Sequence, residues 1–83
     1  MRSQIEQYVI DRVREIRLSQ NVSQAMLAYG IGVSPGFIGQ VESPYSPTKY
    51  NLNHINDIAL YLNCSPADFM PPLPFQNEKR DDD

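Results

Sequence analysis

Residues 23–42, SQAMLAYGIGVSPGFIGQVE, contain two helix-start signals separated by a glycine-containing turn. Ser23 and Ser34 each precede a short apolar run, and a serine side chain can accept a hydrogen bond from the free N–H groups of a first helical turn. Pro35 follows the second serine, where its missing N–H does no harm because that position has no helical partner. Gly32 can adopt the left-handed conformation that ends a helix. The stretch therefore predicts two short helices joined by a tight turn.

Helical periodicity also flanks this stretch on both sides. Apolar residues recur every third or fourth position in residues 3–18 and again in residues 52–62, which is the period of an amphipathic helix. Asn51 or Asn53 would cap the second of these helices. The intervening residues 43–51, SPYSPTKYN, contain two prolines and predict a loop.

A short fifth helix follows the fourth. Ser65 and Pro66 repeat the start signal of a serine cap and a proline, and the helix would run through Phe69 before a proline-rich segment ends it. We therefore predict an all-α fold, a compact five-helix bundle over residues 1–75. The remaining residues 76–83, QNEKRDDD, predict a disordered, polar and acidic tail.

Size and charge limit the functions that this chain can have. Its 83 residues build one small core, which leaves little room for a deep catalytic cleft. The formal charge is −3; residues 76–83 hold two basic and four acidic residues, so residues 1–75 carry −1, unlike most nucleic-acid binders. No apolar run approaches the roughly 18 residues of a membrane helix, and the N-terminus lacks the apolar segment of a secretory signal. We therefore expect a cytoplasmic protein.

Reactive side chains are sparse in this sequence. Cys64 is the one cysteine, which excludes an internal disulfide and favours a packing role. His54 is the one histidine, so a capping or surface role is favoured over metal binding. We find no spaced nucleophile and base, no paired carboxylates and no glycine-rich phosphate loop. The sequence predicts neither an enzyme nor a site for a metal, a cofactor or a small-molecule ligand.

Two helices joined by a glycine-containing turn are typical of a helix-turn-helix, although an ordinary helical hairpin shows the same pattern. Further matching pieces occur in order over residues 13–70: VREIR, VSQAMLA, GVS, IGQVES and INDIALYLNCSPADF. Together they resemble the Cro/repressor-type helix-turn-helix family of bacterial and phage regulators, also called the XRE family or lambda-repressor-like fold. In that family an arginine ending the first helix pairs with a glutamate ending the third. Arg17 and Glu42 occupy those positions, and buried opposite charges are tolerated when they are paired.

The resemblance also implies double-stranded DNA as the partner, with the third helix in the major groove. The family contacts bases from the first exposed residues of this helix and from a position one turn later. The implied DNA-contacting set is Gln24, Ser34, Pro35, Gly36, Phe37, Gly39, Gln40, Ser43, Thr48 and Lys49. Among them, Gln40 has an amide that can pair with an adenine edge, whereas Pro35 and Gly36 can only allow close backbone approach or touch a thymine methyl.

Three of these assignments have a structural alternative. Gln24, which resembles the family's phosphate-binding glutamine, is equally an exposed polar residue. Phe37 is exposed at the groove or packs inside, and packing is favoured because a large aromatic side chain contributes most when it is buried. In the loop, the hydroxyls and Lys49 can bind phosphate and the tyrosines can pack on sugar, or the aromatic residues and prolines only stiffen it.

We expect a homodimer, since two half-sites about one helical turn apart multiply the specificity of a single small helix. The expected dimer surface is the fifth helix with the PPLPF segment, which carries Phe69, Met70, Leu73 and Phe75, unless that segment packs on its own core. The alternative function is a protein-interaction module that does not bind DNA. It would use Phe37, Tyr45 and Tyr50 as aromatic anchors, and the acidic balance favours it.

Overall fold

The computed structural model describes residues 1–76, in which the regular structure is helical. Four α-helices are α1 Gln4–Ser19, α2 Gln24–Ile31, α3 Pro35–Glu42 and α4 Leu52–Leu62, and a 3-10 helix spans Pro66–Phe69. The predicted all-α fold is confirmed. The prediction of five α-helices was wrong by one, because the fifth segment is a 3-10 helix. With Pro66 at its start and Pro71 soon after its end, the fifth segment has room for only one tight turn. The predicted tail, apart from Gln76, lies outside the described residues.

Serine and asparagine side chains begin each helix. The N-cap residues are Ser3, Ser23, Ser34, Asn51 and Ser65, each accepting a hydrogen bond from an N–H of the first turn. Asn51 is thus the cap of α4, and His54 completes it because its Nδ1 accepts from the Asn51 N–H at 3.1 Å. His54 therefore has the capping role that was one of its two predicted roles. Gly32 ends α2 in the left-handed conformation, with φ at 76°.

A single apolar cluster forms the core of the described residues. Each α-helix contributes to it, and the residues are Val9, Val13, Val22, Leu27, Ala28, Ile38, Ile55, Ile58, Ala59, Leu62 and Phe69. Phe69 is fully buried where the 3-10 helix packs against α1 and α4. Of the two uses that the sequence left open for Phe69, a dimer surface and packing on its own core, the structure has the second. Phe75, from the same predicted surface, packs edge-on against the Tyr8 ring at 6.1 Å.

The Arg17–Glu42 ion pair joins the end of α1 to the end of α3. The Arg17 Nε donates to Glu42 Oε2 at 2.9 Å and its Nη2 donates to Oε1 at 2.7 Å, which is a bidentate arrangement. The two side chains are 6% and 3% exposed. The remaining Arg17 nitrogen, Nη1, donates to the Val22 carbonyl at 2.7 Å and so also fixes the turn before α2. The pair therefore sets the position of α3 relative to both preceding helices.

Breaking this pair should lower stability much more than breaking an exposed pair. We expect Arg17→Ala to reduce the free energy of unfolding by about 3–5 kcal/mol, because it leaves the Glu42 carboxylate buried without its main partner. Arg12→Ala is the control, since Arg12 and Glu15 form a 3.6 Å pair with side chains 34% and 65% exposed, and Arg12 makes one further hydrogen bond, to the Asp68 carbonyl. The Arg12→Ala variant should lose less than about 1 kcal/mol of its free energy of unfolding. Urea unfolding followed by circular dichroism measures both values.

A double replacement, Arg17→Met with Glu42→Leu, separates two effects of Arg17→Ala. One is the loss of attraction between the two charges, and the other is the burial of an unpaired charge. The double variant should be more stable than Arg17→Ala alone, because no buried charge remains. Equal losses for the Arg17 and Arg12 variants would contradict the structural role of the pair.

Candidate nucleic-acid interface

The helix α3 buries one side and leaves the other nearly bare of side chains. Ile38 and Val41 are fully buried, while Pro35, Gly36 and Gln40 are exposed. A Cβ placed on Gly36 would meet nothing closer than the Ser34 hydroxyl at 4.0 Å, so open space lies before this part of the backbone. The exposed side of α3 can therefore approach another surface very closely, with Gln40 as its one long polar side chain.

Phe37 lies on the inner side of α3, where it packs against the core. Its ring centroid is 4.9 Å from that of His54 and 6.2 Å from that of Tyr50. Of the two predicted placements the structure has the inward one, in which Phe37 is half-buried, and contact between Phe37 and DNA stays an untested prediction. Burial, and then the negative charge of Glu42, raise the pKa of the neighbouring Tyr50, whose buried hydroxyl has no hydrogen-bond partner among residues 1–76.

Gln24 lies in the first turn of α2, where its side chain is already engaged. The amide Nε2 donates to Glu42 Oε1 at 3.0 Å, so Gln24 shares the carboxylate oxygen that Arg17 binds. A Cβ placed on Gly39 would lie 3.5 Å from Gln24 Oε1, which puts Gln24 next to the exposed side of α3. The contact between Gln24 and a phosphate stays a prediction, and it would require the amide to turn away from Glu42.

Lys49, which the sequence predicts can bind phosphate, already has a negatively charged partner within the protein. Its Nζ lies 2.6 Å from a carboxylate oxygen of Glu6 on α1. Burial opposes ionisation of this carboxyl, but hydrogen bonds from Lys49 and from the Ser3 N–H outweigh it and lower the pKa of Glu6. Lys49 can reach a phosphate only by giving up this partner. Sequence spacing cannot show such a pairing, because 43 positions separate the two residues.

Arg2 is a residue of this region that the sequence analysis missed. Its guanidinium donates to four backbone carbonyls: Val41 at 2.7 Å, Gln40 at 3.2 Å, Ser43 at 2.9 Å and Thr48 at 2.7 Å. The last carbonyls of a helix have no partner within it, and a positive charge there is favourable. One side chain therefore caps the end of α3 and holds the following loop at Ser43 and at Thr48. No local pattern marks it, since it precedes the first helix.

The loop brings Thr48 against the exposed side of α3. The Thr48 hydroxyl donates to Gln40 Oε1 at 3.3 Å and accepts from the Ser46 hydroxyl at 2.9 Å. Ser43, predicted to contact phosphate, accepts the Tyr45 N–H on its hydroxyl at 3.3 Å. The structure thus brings Gln40, Ser43 and Thr48 together at the end of α3, whereas Ser34, Pro35 and Gly36 lie at its start.

Each of the five basic side chains in residues 1–76 has an acceptor within the protein. Arg2 binds carbonyls, Arg12 binds Glu15 and the Asp68 carbonyl, Arg14 and Arg17 bind Glu42, and Lys49 binds Glu6. Arg14 is the most weakly held, 3.7 Å from Glu42 and 57% exposed. The positive charge at this surface is therefore small and mostly compensated.

Two other features of residues 1–76 bear on the kind of site. No three His, Cys, Asp or Glu side chains in this part of the chain lie close enough to hold a metal ion. None of its helices is both long and apolar enough to cross a membrane.

The fold is shared with a protein of known structure. No protein-family model matches the chain, and neither does any curated protein. The crystal structure of the restriction-modification controller protein C.AhdI from Aeromonas hydrophila superimposes with a TM-score of 0.66 and 27% sequence identity. The match covers 76% of this chain and 92% of that chain. Nearly the whole of that controller protein thus has a counterpart here, and α2 with α3 forms a helix-turn-helix.

Removing the Arg2 side chain should loosen the loop without unfolding the core. We expect Arg2→Ala to reduce the free energy of unfolding by about 2 kcal/mol, because it removes charged hydrogen bonds to partly buried carbonyls. Amide hydrogen exchange should become faster in residues 43–50 than in α4. Arg14→Ala is the matched control and should leave exchange in the loop unchanged. Equal protection of the loop in both variants would show that Arg2 does not hold it.

Proposed function

We propose that this protein is a DNA-binding transcriptional regulator that recognises a specific sequence through α3 in the major groove. The single observation that carries the proposal is the match in fold and sequence to a restriction-modification controller protein. The exposed side of α3 supports it, because the second helix of a helix-turn-helix is the one that meets base edges in the groove.

The composition of α3 determines how the helix would make contact. Pro35 and Gly36 place no long side chain between the backbone and the DNA, so the helix start can lie deep in the groove. The capped N-termini of α2 and α3 direct N–H groups outward, and such groups bind phosphate oxygens. Gln40 is then the main side chain for base contact. Ser34, Gly39 and Ser43 would line the remaining contact surface.

Phosphate binding would depend on a few side chains that exchange partners. Arg14 would exchange the distant Glu42 carboxylate for a phosphate, Lys49 would exchange the Glu6 carboxylate for one, and Gln24 would turn from Glu42 toward the DNA backbone. Since so few cations are available, binding should depend on salt less steeply than in strongly basic regulators. The acidic balance thus predicts a modest non-specific affinity for DNA. Base contacts would then contribute a larger share of the total binding free energy.

We also propose that the protein binds DNA as a homodimer. One α3 offers few base contacts, and a two-fold dimer doubles them over two half-sites. Of the four apolar residues named for the predicted surface, Phe69 is buried and Met70 is half-buried, whereas Leu73 and Phe75 are exposed. Sedimentation equilibrium tests this proposal, with and without a duplex that carries the DNA sequence which the protein binds.

A second candidate is a protein-interaction module, which the compensated charge of residues 1–76 favours. Two of its three expected aromatic anchors are in contact with each other, since the Phe37 and Tyr50 rings pack edge to face. Tyr45 remains, 94% exposed in the loop. Binding partners of the alternative would therefore have to use Tyr45 without the other two.

Selection of duplexes from a random pool tests the proposed function, with affinities then measured across a range of salt. Enrichment of one sequence motif, bound less tightly as salt rises, is the expected result. Failure to enrich any sequence at low salt would favour the protein-interaction module.

Replacing Gln40 by alanine should weaken binding to the selected site by about 1–3 kcal/mol per half-site, since it removes the main base contact. The variant should lose preference at one position of each half-site and keep its non-specific affinity. Gln76→Ala, which removes the same side chain from the exposed C-terminal segment, is the matched control. An unchanged sequence preference in Gln40→Ala would exclude Gln40 from base contact.

A further inference from the structure

We propose that Thr48 fixes the orientation of the Gln40 amide, so that α3 presents two hydrogen-bond donors and selects guanine. This inference rests on the proposed function and replaces the adenine pairing that the sequence predicted. It assigns a specificity-determining role to a loop residue that need not touch a base.

The Ser46 and Thr48 hydroxyls form a chain of hydrogen bonds that ends at the Gln40 amide. The Ser46 hydroxyl oxygen accepts the Thr48 N–H at 3.1 Å, and its own hydrogen donates to the Thr48 hydroxyl at 2.9 Å. The Thr48 hydrogen is then available for an acceptor, which is Gln40 Oε1 at 3.3 Å. The oxygen of the Gln40 amide therefore faces the loop, and its NH₂ group faces away from it.

Thr48 is itself held in place from the backbone side. Its carbonyl accepts from Arg2 Nε at 3.0 Å and from Nη2 at 2.7 Å. The same Arg2 donates to the Gln40 carbonyl at 3.2 Å, so one guanidinium joins the backbones of both partners. The neighbouring Lys49 is paired with Glu6 on α1. The hydroxyl thus stands at a fixed place beside α3 instead of moving with a free loop.

The oxygen and the nitrogen of the Gln40 amide differ in how many further hydrogen bonds they can form. Oε1 has two lone pairs, of which Thr48 uses one, whereas Nε2 has no acceptor within residues 1–76. Pairing with adenine requires the oxygen and the nitrogen to meet N6 and N7 together. Pairing with guanine requires donors alone, because N7 and O6 are both acceptors. An amide whose oxygen is turned to the loop therefore favours guanine over adenine.

Thr48→Val tests this inference, because valine has nearly the same shape, lacks the hydroxyl and keeps the carbonyl for Arg2. The position contacted by Gln40 is first identified as the one whose preference Gln40→Ala loses. At that position the unaltered protein should prefer guanine to adenine by about tenfold per half-site, the value of one good base contact. Thr48→Val should lose this preference or reverse it, with an unchanged melting temperature. Thr48→Ser keeps the hydroxyl and should keep the preference.

A measurement without DNA examines the hydrogen bond directly. ¹⁵N relaxation of the Gln40 side-chain NH₂ group should give a high order parameter in the unaltered protein and in Thr48→Ser, and a lower one in Thr48→Val. Identical order of the Gln40 side-chain amide in Thr48→Val and in the unaltered protein would overturn the role of Thr48. Retained guanine preference in Thr48→Val would overturn it as well. Failure of the unaltered protein to bind any duplex would instead overturn the proposed function and the base preference, while the spectra would still decide the hydrogen bond.

Discussion

The bidentate contact between Arg17 and Glu42 is the interaction on which the arrangement of the first three helices depends. Glu42 is the last residue of α3, and its carboxylate receives Arg17 from α1 and Gln24 from α2. Two charges in a low-dielectric interior are stable only when their hydrogen bonds are nearly all made. This requirement is directional, unlike apolar packing, so it fixes how α3 lies against its neighbours as well as how far it lies from them.

Arg2 adds a second constraint at the same end of α3. Arg2 donates to the Val41 carbonyl in the last helical turn and to the Ser43 carbonyl just after it, whereas Arg17 binds the side chain of Glu42, the last residue of the helix. Both arginines thus act at the C-terminal end, and Ser34 with Pro35 defines the N-terminal end by local capping alone. Such a helix is held by side-chain hydrogen bonds at its C-terminal end, while Ser34, Pro35 and Gly36 at its start are exposed to solvent. This division matches the proposed role, in which the first turn lies deepest in the groove.

The fold followed from the sequence because its signals are local. Serine and asparagine caps, the proline after Ser34 and the helical spacing of apolar residues depend on neighbours within one or two turns, and they located the helices. The site was less predictable, since its hydrogen bonds join residues distant in the chain. Arg2 meets Thr48 across 46 positions and Lys49 meets Glu6 from the first helical turn, so neither contact leaves a periodic pattern. The Arg17 and Glu42 pairing was expected only because it came with a family resemblance.

The glycines of α3 show that its sequence is not chosen for helix stability. Gly36 and Gly39 each disfavour an eight-residue helix by about 1 kcal/mol relative to alanine. Gly36 has open space before it, so packing does not require a glycine there. The helix forms nevertheless because a serine cap and a proline stabilise its start, Ile38 and Val41 bury one side, and two arginines hold its end. A surface kept bare against the helix's own propensity is what close contact with a groove would require. On such a bare surface, base specificity would depend on few polar atoms. The Thr48 hydroxyl, by orienting the Gln40 amide, could therefore change which base is preferred.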